Sequence, residues 1–207
     1  MMKLYTVEAS TNVERVALAL GHKRLAAQVI QVPFDDRTEI RKVSGQDLVP
    51  VLVDGDRVQF ESMDIVRDLD ERYPDRPRLY PSDPAKKAEV LLFIDWFNRV
   101  WKRPPNEMAD ELEKPEAHID RARVEKLGQV MQGYLGWFEQ LLTGREYLYG
   151  EFGAADIAAF PFVKYAAIHP ANDPYLFHKV LMDYQKPGSN HPNLLAWIAR
   201  VDKRPRI

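Results

Sequence analysis

The chain has 207 residues, 45% hydrophobic and 29% charged, and 29 Lys+Arg against 31 Asp+Glu leave a formal net charge of -2. That length holds one large or two small domains, and the near balance of charge argues against a general nucleic-acid binder, which carries a basic excess or stripe. With no cysteine, disulfides and redox chemistry through the protein's own thiol are excluded, while chemistry on a thiol brought by a ligand stays open.

No segment approaches the roughly 18 apolar residues of a membrane span, and the first residues lack the apolar core of a signal peptide, so the cytoplasm is the expected compartment. Residues 3–7 read as a strand, and Val13, Val16, Ala17 and Leu20 follow the spacing of an amphipathic helix that Gly21 is expected to end. Residues 26–32 read as a second strand, 40–43 as a short helical piece, and 50–53 with 58–60 as a hairpin turned at Asp54-Gly55. A helix over 62–73 then places Ile65, Val66, Leu69 and Tyr73 inward. The predicted order is βαβαββα.

Residues 73–81 are rich in proline and charge, and beyond them strand-type alternation gives way to helical spacing. The predicted division is an α/β domain over 1–76, a linker over 77–84 and an all-helical domain over 85–207. Val90, Ile94, Phe97 and Trp101 form one stripe; Val124, Leu127, Met131, Leu135 and Phe138 form another, with Pro104-Pro105 dividing the two. A further helix starts near Gly153, where Asp156 reaches back to cap-region N–H groups, and a last one follows His191-Pro192-Asn193.

The segment Val49-Pro50-Val51-Leu52-Val53-Asp54-Gly55, followed by Glu61-Ser62, carries the chemistry. Proline has no N–H, so at the start of a strand it leaves the preceding backbone free to pair with an extended peptide. The Ser62 hydroxyl and the N–H groups after it face an incoming carboxylate with the positive end of a helix dipole behind them. Together they describe a site for a small acidic peptide. For Ser62 alone, an ordinary helix cap is the competing reading. The five histidines show no metal-ligand spacing.

Leu48-Val49-Pro50-Val51-Leu52, Glu61-Ser62-Met63-Asp64-Ile65, Gly153-Ala154-Ala155-Asp156-Ile157-Ala158 and the run from His191 to Pro205 are each weak signals. In this order and spacing the chain resembles the soluble glutathione transferases, over essentially its whole length. The resemblance implies a thioredoxin-like N-terminal domain and an all-helical C-terminal domain. It implies a cis Val49-Pro50 bond, with the Val49 backbone pairing to the cysteinyl part of glutathione. Ser62 then takes the γ-glutamyl carboxylate, with Glu61 near its ammonium. Ser10 stands where serine-type members keep a catalytic serine, donating its O–H to the glutathione sulfur and favouring a thiolate over a thiol of pKa about 8.5. Thr11 and the Asn12 amide are the alternates in the same loop, whereas Tyr5 sits within the first strand and is expected to pack. Phe97, Trp101 and Arg103 are candidates for the acceptor wall, against a core-packing reading of the two rings. Leu48 and Gly153 depart from the family's usual residues.

The expected activity is transfer of the glutathione sulfur to small electrophiles, with glutathione as co-substrate and no metal or tightly held cofactor. A homodimer is implied by the resemblance alone, and no nucleic-acid or membrane partner is expected. A glutathione-dependent disulfide reductase and a non-catalytic interaction protein on the same fold are the alternatives.

Overall fold

Burial of the successive residues Leu4, Tyr5 and Thr6, which point to opposite faces, suits a strand at the centre of a sheet covered on both sides. A computed structural model describes all residues, 1–207, and places that strand, β1 (Met2–Thr6), inside a four-stranded sheet of order β2-β1-β3-β4. β1 pairs in parallel with β2 (Ala27–Gln31), from Met2 opposite Ala27 to Thr6 opposite Gln31. A parallel pair needs a crossover, and α1 (Thr11–Lys23) supplies it, burying Val13, Val16, Leu18, Ala19 and Leu20.

After α2 (Thr38–Ser44), β3 (Val51–Asp54) pairs antiparallel with β1, and β4 (Arg57–Phe60) pairs antiparallel with β3. The hairpin turns at Gly55, whose φ of 63° is the left-handed conformation that glycine adopts without strain. α3 (Ser62–Arg72) buries Ile65, Val66 and Leu69, and Tyr5, Val7, Val32, Ile40 and Val51 close a core against the sheet. Tyr73, expected as the last inward residue of α3, instead follows it, and its hydroxyl donates to Asp54 at 3.3 Å.

Gly21 does not end α1. The helix runs on to Lys23 and closes on Arg24 in a left-handed conformation, φ 54°. The glycine serves a close approach: a Cβ there would lie 2.2 Å from the Pro205 carbonyl oxygen. Residues 203–207 belong to the same compact unit as Met1–Lys87, and Arg206 holds Glu14 at 3.0 Å. Lys23 is fully buried, with Nζ on Asp70 at 2.8 Å and on the Pro77 carbonyl at 3.2 Å. Asp70 also accepts the N–H groups of Leu79 and Tyr80 at 2.8 and 3.2 Å. The proline-rich segment is thereby pinned to α1, with Leu79 and Tyr80 buried.

The second unit, Ala88–Asp202, is helical. α4 (Pro84–Trp96) leads into it and passes through a π-turn, Phe97–Trp101, to α5 (Arg103–Leu112). Pro104-Pro105 therefore starts a helix, in the first turn, where a missing N–H costs no intrahelical bond. α6 (Arg121–Leu141), α7 (Ala154–Val163), α8 (Leu176–Tyr184) and α9 (Pro192–Asp202) complete the unit, α8 being absent from the sequence-based expectation. Every residue of α7 is buried. No helix is long and apolar enough to cross a membrane.

Candidate functional site

Two helix N-termini of the first unit carry the candidate residues. Ser10 is the N-cap of α1: its Oγ accepts the Val13 N–H at 3.3 Å and its carbonyl accepts the Glu14 N–H at 3.0 Å. A hydroxyl that accepts with a lone pair keeps its proton to donate. Ala9, just before it, has φ 57°. Thr11 is buried as the first residue of α1, and Asn12 is half-buried in the same turn.

At the second terminus Glu61, not Ser62, holds the N-cap position of α3, with an exposed side chain and a φ of 66°. Its carbonyl accepts the N–H groups of Asp64 and Ile65, both at 3.0 Å. Ser62, 7% exposed, is the first helical residue, so its hydroxyl is not spent on capping α3. Non-glycine residues at positive φ cost about 1–3 kcal/mol each and cluster at binding sites. Here one stands immediately before each serine.

The Val49-Pro50 bond is cis. The first laddered residue of β3 is Val51, opposite Tyr5 and Phe60, so Val49 lies just off the sheet. Gln46 clasps the residue before it, accepting the Leu48 N–H at 2.6 Å and donating to the Leu48 carbonyl at 2.8 Å, while the Leu48 side chain is 70% exposed. Tyr5 is buried in the core beneath.

One functional candidate escaped sequence reasoning. The Arg15 guanidinium is 2% exposed, and its NH1 donates both to Ser62 Oγ and to Asn12 Oδ1, each at 3.3 Å. It therefore joins the two N-termini. Burial pulls its pKa down to about 9, with Glu61 opposing the shift, so the group stays charged at neutral pH. The one local sign is its i,i+3 spacing from Asn12 within a helical pattern; the partnership with Ser62 spans 47 residues.

In the helical unit Phe97 and Trp101 stack at 4.4 Å between centroids and are 0% and 1% exposed, sealed among Phe138 and Phe162. Arg103 is at the surface, paired with Glu107. The rings therefore pack as core within this unit.

A four-stranded sheet of order β2-β1-β3-β4, with α1 crossing between the parallel pair and α3 following the hairpin, defines a thioredoxin-like fold for the first unit. Residues 4–77 match the family model "Glutathione S-transferase, N-terminal domain" and residues 116–200 match "Glutathione S-transferase, C-terminal domain". The chain belongs to the glutathione transferase family. It is 26% identical over 215 residues to glutathione S-transferase GstB of Escherichia coli (strain K12), spanning all of this chain and 96% of that protein. Over 157 residues it is 31% identical to FtsZ-localized protein A of Caulobacter vibrioides, covering 70% of this chain and 68% of that protein. The glutathione-bound theta class transferase of Xanthomonas axonopodis pv. citri superposes with a TM-score of 0.74 at 26% identity, over 99% of this chain and 93% of that one.

Proposed function

We propose that this glutathione transferase binds glutathione along the Val49 backbone with its γ-glutamyl end at Glu61-Ser62, and ionises the thiol at Ser10 for attack on a small electrophile. The observation that carries the reading is the Ser10 hydroxyl at the α1 N-terminus, accepting from Val13 N–H and so holding its proton for the sulfur. The helix dipole adds to that donor, and a thiolate is the form both favour. Thr11 and Asn12 line the same turn, next to the sulfur position. The Val49 main chain treats the peptide as an added strand beside Pro50. Of the expected acceptor wall, Arg103 is the member at the surface of the helical unit. The cytoplasm is the proposed compartment.

Titration with reduced glutathione at neutral pH, following thiolate absorbance, tests this directly. Saturable growth of thiolate is expected; binding without thiolate removes Ser10 from the mechanism, and no binding removes the peptide site. Ser62→Ala should act differently. Losing one charge-assisted hydrogen bond raises KM for glutathione about 10–100-fold while kcat changes by less than about threefold. Steady-state rates with glutathione varied separate the two parameters, and a fall in kcat at unchanged KM contradicts the assignment.

The partner completing the molecule is a second copy. Trp137 is 59% and Leu92 72% exposed, and Trp96 and Trp137 stack at 5.8 Å with planes 7° apart beside a cleft of ≈ 570 Å³ between α4 and α6. Exposed apolar clusters of this kind mark interaction surfaces. Sedimentation equilibrium should show a wild-type dimer and a monomeric Trp137→Glu protein; a dimer that survives the substitution, or a monomeric wild type, removes this face as the interface.

A further inference from the structure

Arg15 and Lys23 are the large charged side chains sealed in the first unit. Lys23 has a structural task, the Asp70 clamp at 2.8 Å. Arg15 lies where two helix N-termini meet, and its bonds to them set the direction in which their polar groups face. Because NH1 donates to Ser62 Oγ, that oxygen is an acceptor towards the protein, and the hydroxyl proton is left to point outward. The same NH1 also donates to Asn12 Oδ1, which ties the guanidinium to the first turn of α1. A chain of donation polarises each member, so a hydroxyl receiving from a guanidinium is the stronger donor.

We propose that Arg15 is a positioning residue that turns Ser62 into an outward-facing donor, and so fixes which end of the γ-glutamyl group, carboxylate rather than ammonium, is received at Ser62. The inference rests on the glutathione reading above. A donor array backed by a buried cation and two helix N-termini accepts an anion and repels an ammonium. The exposed Glu61 carboxylate is then the neighbour for the ammonium, giving the peptide one orientation. Both bonds leave from NH1, and a lysine side chain ends one atom short of that position, so it keeps the sign of the field but not both bonds.

The test compares reduced glutathione with γ-aminobutyryl-cysteinyl-glycine, the same peptide without that carboxylate, by calorimetric titration of the wild type, Arg15→Lys and Arg15→Met. The wild type should prefer glutathione by about tenfold or more, as expected for a charge-assisted hydrogen bond. Arg15→Met should lose about tenfold or more on glutathione and less than about twofold on the truncated peptide, collapsing the preference. Arg15→Lys should keep part of it. Equal weakening of both peptides by Arg15→Met makes the residue a packing element and overturns the proposal. If the Met variant does not fold, the Lys variant and the wild-type ratio still decide: a preference that Lys leaves wholly intact, or a wild type that binds both peptides alike, overturns it. A wild type that binds neither removes the glutathione site itself, a separate failure.

Discussion

Ser10→Ala is expected to lower kcat for conjugation by about 10²–10³-fold, the cost of removing one preorganised donor from a developing anion. The loss follows from the cap geometry. With Oγ already accepting from Val13 N–H at 3.3 Å, the hydroxyl is held in place before the peptide arrives, so little reorganisation precedes ionisation of the thiol. Alanine removes that donor and leaves the helix dipole, so the bound thiol should titrate at higher pH. Rate against pH for wild type and variant measures the shift. Losing the N-cap also costs about 1 kcal/mol of stability, which thermal unfolding reports separately from chemistry. Ser10→Thr retains both hydroxyl functions and should recover most of the rate. Thr11→Val should change kcat by less than about threefold, because Thr11 lies inside the helix rather than at its cap. A Ser10→Ala protein that ionises bound glutathione normally, or a Thr11→Val protein that does not, moves the donor elsewhere.

The seven elements of the first unit were readable in order because each carries a local cause: alternation in the strands, helical stripes in α1 and α3, and Asp54-Gly55 at the hairpin. Failures came where the cause is distant. Gly21 reads locally as a helix stop, but its reason is the Pro205 backbone, nearly the whole chain away. Arg15 reads as an ordinary helix residue until Ser62 is folded against it. Pro104-Pro105 reads as a break, whereas the same chemistry is compatible with the first turn of α5. α8 is nine residues long and buries only Val180, Leu181 and His178, too few to set a period. Glu61-Ser62 reads as a helix start, and the cap itself falls on Glu61, whose φ of 66° only the folded backbone reveals.

Asp156→Ala is expected to destabilise the protein by about 3–9 kcal/mol, since three buried donors lose their acceptor at about 1–3 kcal/mol each. The carboxylate is 1% exposed; it accepts the N–H groups of Leu148 and Gly153, both at 3.0 Å, and the Trp197 indole N–H at 2.8 Å. It thus ties the start of α7 to the preceding turn and to α9, around a helix with no solvent-facing residue. Against a total of about 5–15 kcal/mol, the Ala variant should be largely unfolded at growth temperatures. Asp156→Asn keeps an oxygen for Leu148 and Trp197 and faces its amide towards Gly153 N–H, so denaturant unfolding should place it between wild type and Ala. Burial lifts the Asp156 carboxyl from 3.8 to about 6, against the pull of its three donors. A raised folded pKa means that the native state holds more protons than the unfolded chain between those values. Its contribution is therefore full below about pH 4 and is lost as pH rises through 6, by about 3 kcal/mol. Urea midpoints across that window should fall with rising pH in the wild type relative to Asp156→Asn, which has no proton to lose there. Parallel pH profiles for the two proteins would place the ionisation of Asp156 at its unfolded value and make its hydrogen bonds, not its burial, the dominant influence.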